Sequence, residues 1–73
     1  MTRAHLLGLL ALNNNVDISR GCCYFIALND KFKARIYINK VHLSYRNELK
    51  HPLELILSFQ KAFKLLQIDG LIK

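Results

Sequence analysis

Residues 31–38, Lys31-Phe32-Lys33-Ala34-Arg35-Ile36-Tyr37-Ile38, alternate without a break. Phe32, Ala34, Ile36 and Ile38 fall on one side; Lys31, Lys33, Arg35 and Tyr37 fall on the other. Successive side chains of a strand point to opposite faces, so a period of two predicts a strand with one buried and one wet face. The flanking segments extend the pattern. Asn29-Asp30 before it and Asn39-Lys40 after it suit tight turns, Asn and Asp because both tolerate positive φ. Gly21 opens an earlier run of strand formers, Cys22 to Leu28, and Val41-His42-Leu43-Ser44-Tyr45 alternates again. Three strands joined by tight turns predict an antiparallel meander.

A helix pattern follows. Pro52 suits the first position of a helix. From there Leu55, Ile56, Phe59, Ala62, Phe63 and Leu66 form one stripe at spacings of three and four, with Glu54, Ser58 and Lys61 opposite. Asp69-Gly70 ends it, the glycine suited to a left-handed cap. Near the N-terminus Leu6 to Leu12 read as a short Leu-rich helix, stopped by Asn13-Asn14-Asn15. The expected fold is α+β: a three-stranded antiparallel β-sheet packed against a C-terminal α-helix, with a short N-terminal helix. Residues 1–18 would be the helix and a polar linker, and residues 19–73 the β-β-β-α domain. Leu53, Leu57 and Leu65 lie off the main stripe and would receive the N-terminal helix or make a homodimer contact.

A chain of 73 residues allows one domain and no cleft between two. With 52% hydrophobic and 22% charged residues it should fold rather than remain disordered. Eleven Lys plus Arg against five Asp plus Glu give a formal charge of +6, which points to polyanions or anionic surfaces. Seven basic residues lie between Arg20 and Lys50, with only Asp30 and Glu48 to offset them. An ordinary wet face mixes both signs. The Leu-rich run is too short to span a bilayer, so no membrane partner is expected. It could serve as the core of a signal peptide, but no small-x-small cleavage site follows it.

Cys22 and Cys23 are adjacent and offer no disulfide framework, which favours an intracellular setting. They read as small hydrophobes in a strand. Together with His42 and His51 they lack zinc-ligand spacing, so neither metal nor other cofactor is expected. His42 reads as a surface contact and His51 as a helix-end residue. There is no Gly-rich phosphate loop, no pair of carboxylates brought together by the expected fold, and no acid to orient His42 beside Ser44, so the chain is read as non-enzymatic.

The wet face therefore carries the functional expectation. It holds Lys31, Lys33, Arg35, Tyr37, Lys40 and His42. A two- or three-stranded ribbon fits the major groove of B-DNA, where lysines meet phosphates and an arginine forks onto guanine. Arg35, at the centre of the middle strand, is the natural base reader, and double-stranded DNA the expected partner.

The segment Asp30 to Leu43 resembles the middle of the Apetala-two DNA-binding domain, found in plant ethylene-response factors, apicomplexan regulators and phage homing endonucleases. That family shows a Lys-aromatic-x-Ala-x-Ile strand, a turn, an apolar-x-Leu strand and an amphipathic helix. Arg20-Gly21-Cys22 resembles its Arg-Gly-Val opening, and the likeness covers about residues 19 to 69. It implies a phage or mobile-element DNA-binding module whose contacts are Arg20, Lys31, Lys33, Arg35, Tyr37, Lys40 and His42. The first strand departs from the family in being apolar, and the turn between the second and third strands lacks the usual glycine. An exposed Phe25-Ile26-Leu28 strip would instead suit an anti-CRISPR-like inhibitor that docks on a nucleic-acid-handling complex, or a dimer edge. Either role places the protein in the cytoplasm or nucleoid, in the host cell if phage-encoded.

Overall fold

Most of the alternating segment forms the middle strand of a sheet, with Phe32, Ala34 and Ile36 fully buried. In the computed structural model, which describes residues 1–46 and 54–73, the chain runs α1 (Arg3–Ala11), β1 (Asp17–Arg20), β2 (Phe25–Leu28), β3 (Phe32–Ile36), β4 (Val41–Tyr45), β5 (Leu55–Leu57) and α2 (Phe59–Ile68). The strands form one antiparallel meander in chain order, β1-β2-β3-β4-β5. The class is α+β with a helix at each end, as the periodicities indicate, but the sheet has five strands rather than three.

The two additional strands occupy the sheet edges. Asp17–Arg20, which straddles the expected boundary between the polar linker and the domain and was not read as a strand, pairs with Phe25–Leu28, and all four of its residues are exposed. An edge strand with so little burial has no apolar alternation to betray it. Leu55–Leu57 was expected inside the C-terminal helix. Three consecutive apolar residues fit either period, and here they pair with Val41–Leu43. The helix begins at Phe59 because Ser58 caps it, its hydroxyl accepting from the Lys61 amide at 3.2 Å. Pro52, His51 and Leu53, to which a helix start, a helix-end role and an apolar contact were assigned, lie outside the described residues.

Cross-strand register unites the buried face. Phe25 lies opposite Ile36, Ala27 opposite Ala34, Ala34 opposite Leu43 and Ile36 opposite Val41. Against this face pack Leu6 and Leu10 of α1 and Ala62 and Leu66 of α2, so both helices cover the same side of the sheet. Ala27 and Ala34, two of the three alanines in the cluster, stand directly opposite each other on β2 and β3. Leu57 and Leu65 are half-buried against the cluster.

The turns follow sequence with two changes of detail. The Asn29 side chain accepts from the Lys31 and Phe32 amides at 2.8 and 2.9 Å, and the Asn29 amide bonds the Phe32 carbonyl. No described non-glycine residue has positive φ, so asparagine acts here through its acceptor oxygen. The next turn runs from Tyr37 to Lys40, closed by the Tyr37 amide on the Lys40 carbonyl at 2.8 Å. Ile38 is therefore at a turn and 77% exposed, not in the buried set. At the end of α2, Gly70 has φ +73°, with Gly70 and Leu71 amides bonding the Gln67 and Leu66 carbonyls. That is the glycine-capped helix end read from Asp69-Gly70.

Two contacts fasten the ends. Asn13 is buried; its amide side chain reaches the Leu9 carbonyl and accepts from the Lys73 amide at 3.0 Å. Tyr45 donates its hydroxyl to Asp69 at 2.5 Å, joining β4 to the end of α2. Burial and that bond to a carboxylate hold the Tyr45 hydroxyl protonated well above its usual range.

Replacing Ile36 by Asp should unfold the chain, since a domain of this size is stable by roughly 4–11 kcal/mol and a buried unpaired carboxylate costs several. Lys33→Asp should leave it folded, and thermal unfolding followed by circular dichroism separates the two; an exchange of outcomes would mean the strand faces are reversed. Tyr45→Phe should lose about 1 kcal/mol below pH 10, the ordinary value of an unfolded tyrosine. The folded hydroxyl ionises later than the unfolded one, so its contribution falls away as pH rises further and the variant and parent should converge. Urea midpoints across alkaline pH check it.

Candidate functional site

The face opposite both helices is organised by the same register that builds the core. Ser19, Ile26, Arg35, His42 and Ile56 form one row across all five strands. Asp17, Leu28, Lys33 and Ser44 form the next. At the other end of the face, Tyr24 lies against Tyr37 with ring centroids 5.1 Å apart, and Tyr37 against His42 at 4.7 Å. Lys40 sits over the Tyr37 ring and Arg35 beside the Tyr24 ring, at 5.7 and 5.9 Å from the centroids.

Tyr24 reaches this position because residue 21 has no side chain. A Cβ on Gly21 would come within 2.6 Å of the Tyr24 ring. The Gly21 amide bonds the Tyr24 carbonyl at 2.7 Å, closing the hairpin whose tip is Cys22-Cys23. Both cysteines are exposed, which corrects their reading as strand hydrophobes.

The centre of the face holds a charge cluster. The Arg35 guanidinium donates to Glu54, and the same carboxylate oxygen lies 3.0 Å from His42 Nδ1. An ionised carboxylate only accepts, so Nδ1 carries the proton in this contact. His42 Nε2 is buried and has no hydrogen-bond partner among the described residues. The hydrogen bond from Arg35 holds the Glu54 carboxyl below its usual range against the opposing effect of burial, and Arg35 is held correspondingly more firmly protonated.

Six of the seven residues expected at the site belong to this side. Lys33, Arg35, Tyr37, Lys40 and His42 are neighbours on it, and Lys31 stands at its end, where its carbonyl accepts from the Arg46 amide. Arg20 does not. It lies opposite Phe25, which faces the helices, and its guanidinium is 5.8 Å from that ring, with Arg3 at 5.2 Å on the same ring. Position in the alternation excludes it: Arg20 is an odd number of residues from Ser19 and the open row. The expected docking strip divides in the same way. Ile26 and Leu28 face outward, Phe25 faces the helices, and β2 is flanked by strands on both sides, so it is not a dimer edge.

Sequence reasoning missed Glu54, Tyr24 and Gly21. Glu54 was set on the back of a helix that in fact starts five residues later. Ser58, three residues before Lys61, is the cap signal that would have placed Glu54 and Ile56 in a strand with the same parity. Among the described residues, no three His, Cys, Asp or Glu side chains lie close enough to hold a metal ion. No described helix is long and apolar enough to cross a membrane. No protein-family model, curated protein or solved structure matches the chain.

Glu54→Gln should lower stability at neutral pH. Glu54 ionises more readily folded than unfolded, so its contribution is present above the ordinary carboxylate range and is lost as pH falls through the lower folded value. The stability difference between parent and variant, measured by urea denaturation, should shrink toward zero on acidification.

Proposed function

We propose that the protein is a small non-enzymatic DNA-binding module, of phage or mobile-element type, that meets DNA with the sheet face opposite its helices. The observation that carries this reading is the grouping of Lys33, Arg35, Tyr37, Lys40 and His42 on one uncovered face of a chain with a formal charge of +6. Lys31, Lys33 and Lys40 are exposed and contact phosphates. Arg35 is engaged by Glu54, so it positions the face rather than forking onto a base. Binding is then tolerant of sequence, since base-edge hydrogen bonds are what specify. The resemblance of residues 30–43 to the Apetala-two domain supports the same use of the sheet.

A second reading, an inhibitor that docks on a protein, draws on a different property of the same face. Ile26, Leu28 and Ile56 lie on it beside the neutralised Arg35–Glu54 pair, and Ile56 is 65% exposed. An apolar centre with a charged rim is the usual anatomy of a protein contact.

Binding to a mixed-sequence DNA across a salt series separates the two. Lys33→Ala and Lys40→Ala should each reduce the slope of log affinity against log salt by roughly 0.7–0.9. Arg35→Ala should change it far less, because Glu54 already offsets that charge. Absence of binding at low salt, with partner capture lost on Ile56→Asp, favours the protein-docking reading.

A further inference from the structure

We infer that the occupant of the open face is single-stranded DNA, its bases stacking on Tyr37 and Tyr24 while Lys33 and Lys40 hold its phosphates. This rests on the DNA-binding reading and narrows it. The first argument is width. Strands lie about 4.8 Å apart, so the axes of five strands span about 19 Å, whereas the major groove is about 12 Å wide. A two- or three-stranded ribbon enters that groove; this sheet, presented by its face, does not.

The second argument is the chemistry of the face. A duplex offers base edges and phosphates, and hides its ring faces within the stack. The central group able to read a base edge, Arg35, is occupied by Glu54. What the face offers is ring surface. Tyr24 before β2, Tyr37 after β3 and His42 on β4 form a continuous aromatic path at one end of the face, with Tyr24 and Tyr37 both half-buried and therefore partly open. Aromatic rings on a basic sheet suit unstacked bases, whatever their sequence. The third argument is charge. Lys33 and Lys40 lie on either side of the aromatic path, Asp17 stands on the edge strand β1, and the Glu54 carboxylate at the centre of the face is taken up by Arg35 and His42. A chain that follows the line from Tyr24 to His42 meets rings, with Lys40 beside them and the one nearby carboxylate already engaged.

The experiment titrates the full-length protein with oligo(dT) and with a duplex of equal length. The chain has no tryptophan and three tyrosines, so tyrosine emission reports stacking directly. Tyr45 is on the other face, bonded to Asp69, and serves as an unquenched background. Oligo(dT) should bind more tightly than the duplex and quench emission by no more than the share of Tyr24 and Tyr37. Tyr37→Ala should weaken oligo(dT) binding by roughly tenfold or more with an unchanged salt slope, while Tyr37→Phe, which keeps the ring, should bind nearly as the parent does. Circular dichroism confirms that both variants remain folded, and Tyr24→Ala stands in if Tyr37→Ala does not. Equal or tighter duplex binding without quenching would overturn the single-strand inference and leave the DNA-binding reading standing. Loss of affinity in Tyr37→Phe equal to that in Tyr37→Ala would overturn stacking in favour of a hydroxyl contact. Failure to bind either DNA at low salt would remove both.

Discussion

One-sided burial is the constraint on which the structure depends. A 73-residue chain has too little apolar material to cover both faces of a sheet, so both helices are committed to one. Ala27 and Ala34 keep the sheet low at its middle strands, and Leu6, Leu10, Ala62 and Leu66 close over Phe32, Ile36 and Leu43. Each residue sent to that side fixes its neighbours on the other. Burying Ala34 and Ile36 puts Arg35 outward, and burying Val41 and Leu43 puts His42 outward directly opposite it. The candidate site is thus the complement of the core, specified by the same alternation.

That logic explains what sequence could and could not disclose. β3 and β4 were legible because their burial alternates completely, Phe32, Ala34 and Ile36 against Lys33 and Arg35, Val41 and Leu43 against His42 and Ser44. The segment Phe59 to Leu66 was legible for the equivalent reason at helical period. β1 was not, because an exposed edge strand gains its stability from backbone pairing, which leaves no mark on side-chain pattern. β5 was not, because Leu55-Ile56-Leu57 is apolar throughout and two of its residues, Leu55 and Ile56, continue the helical stripe in phase. What decides it is a long-range partner, Val41–Leu43, together with the cap at Ser58.

The consequence for the site is larger than the error in the fold. Shifting three residues from helix to strand brings one acid, Glu54, from the back of a helix to the middle of the basic face. A sum over Arg20 to Lys50 describes that face as nearly free of acids, because Glu54 lies outside the window in sequence and inside it in space. Charge counts along a chain predict fields well at long range and pairings poorly at short range. Here the net charge of +6 stands, while the cation best placed to read a base is already satisfied.

Neutralising Arg35 gives the face a division of labour. Its positive charge is concentrated in exposed lysines, Lys31 and Lys33 toward one end and Lys40 at the other, and its centre is a contact network of Arg35, Glu54, His42, Tyr37 and Tyr24. Lysines are compact point charges that follow a phosphate without fixing its orientation, whereas a forked guanidinium demands a planar partner. On the proposed single-strand reading, an assembly that holds its guanidinium internally and keeps its lysines exposed suits a ligand whose backbone position varies and whose ring surfaces recur. Gly21 belongs to the same assembly. Its missing side chain is the space in which the Tyr24 ring lies, so the aromatic path depends on the backbone of that hairpin. The ring surface is therefore set by backbone at the β1–β2 hairpin, the charge by Lys33 and Arg35 of β3 with Lys40 before β4 and Glu54 before β5, and only the sheet register brings the two together.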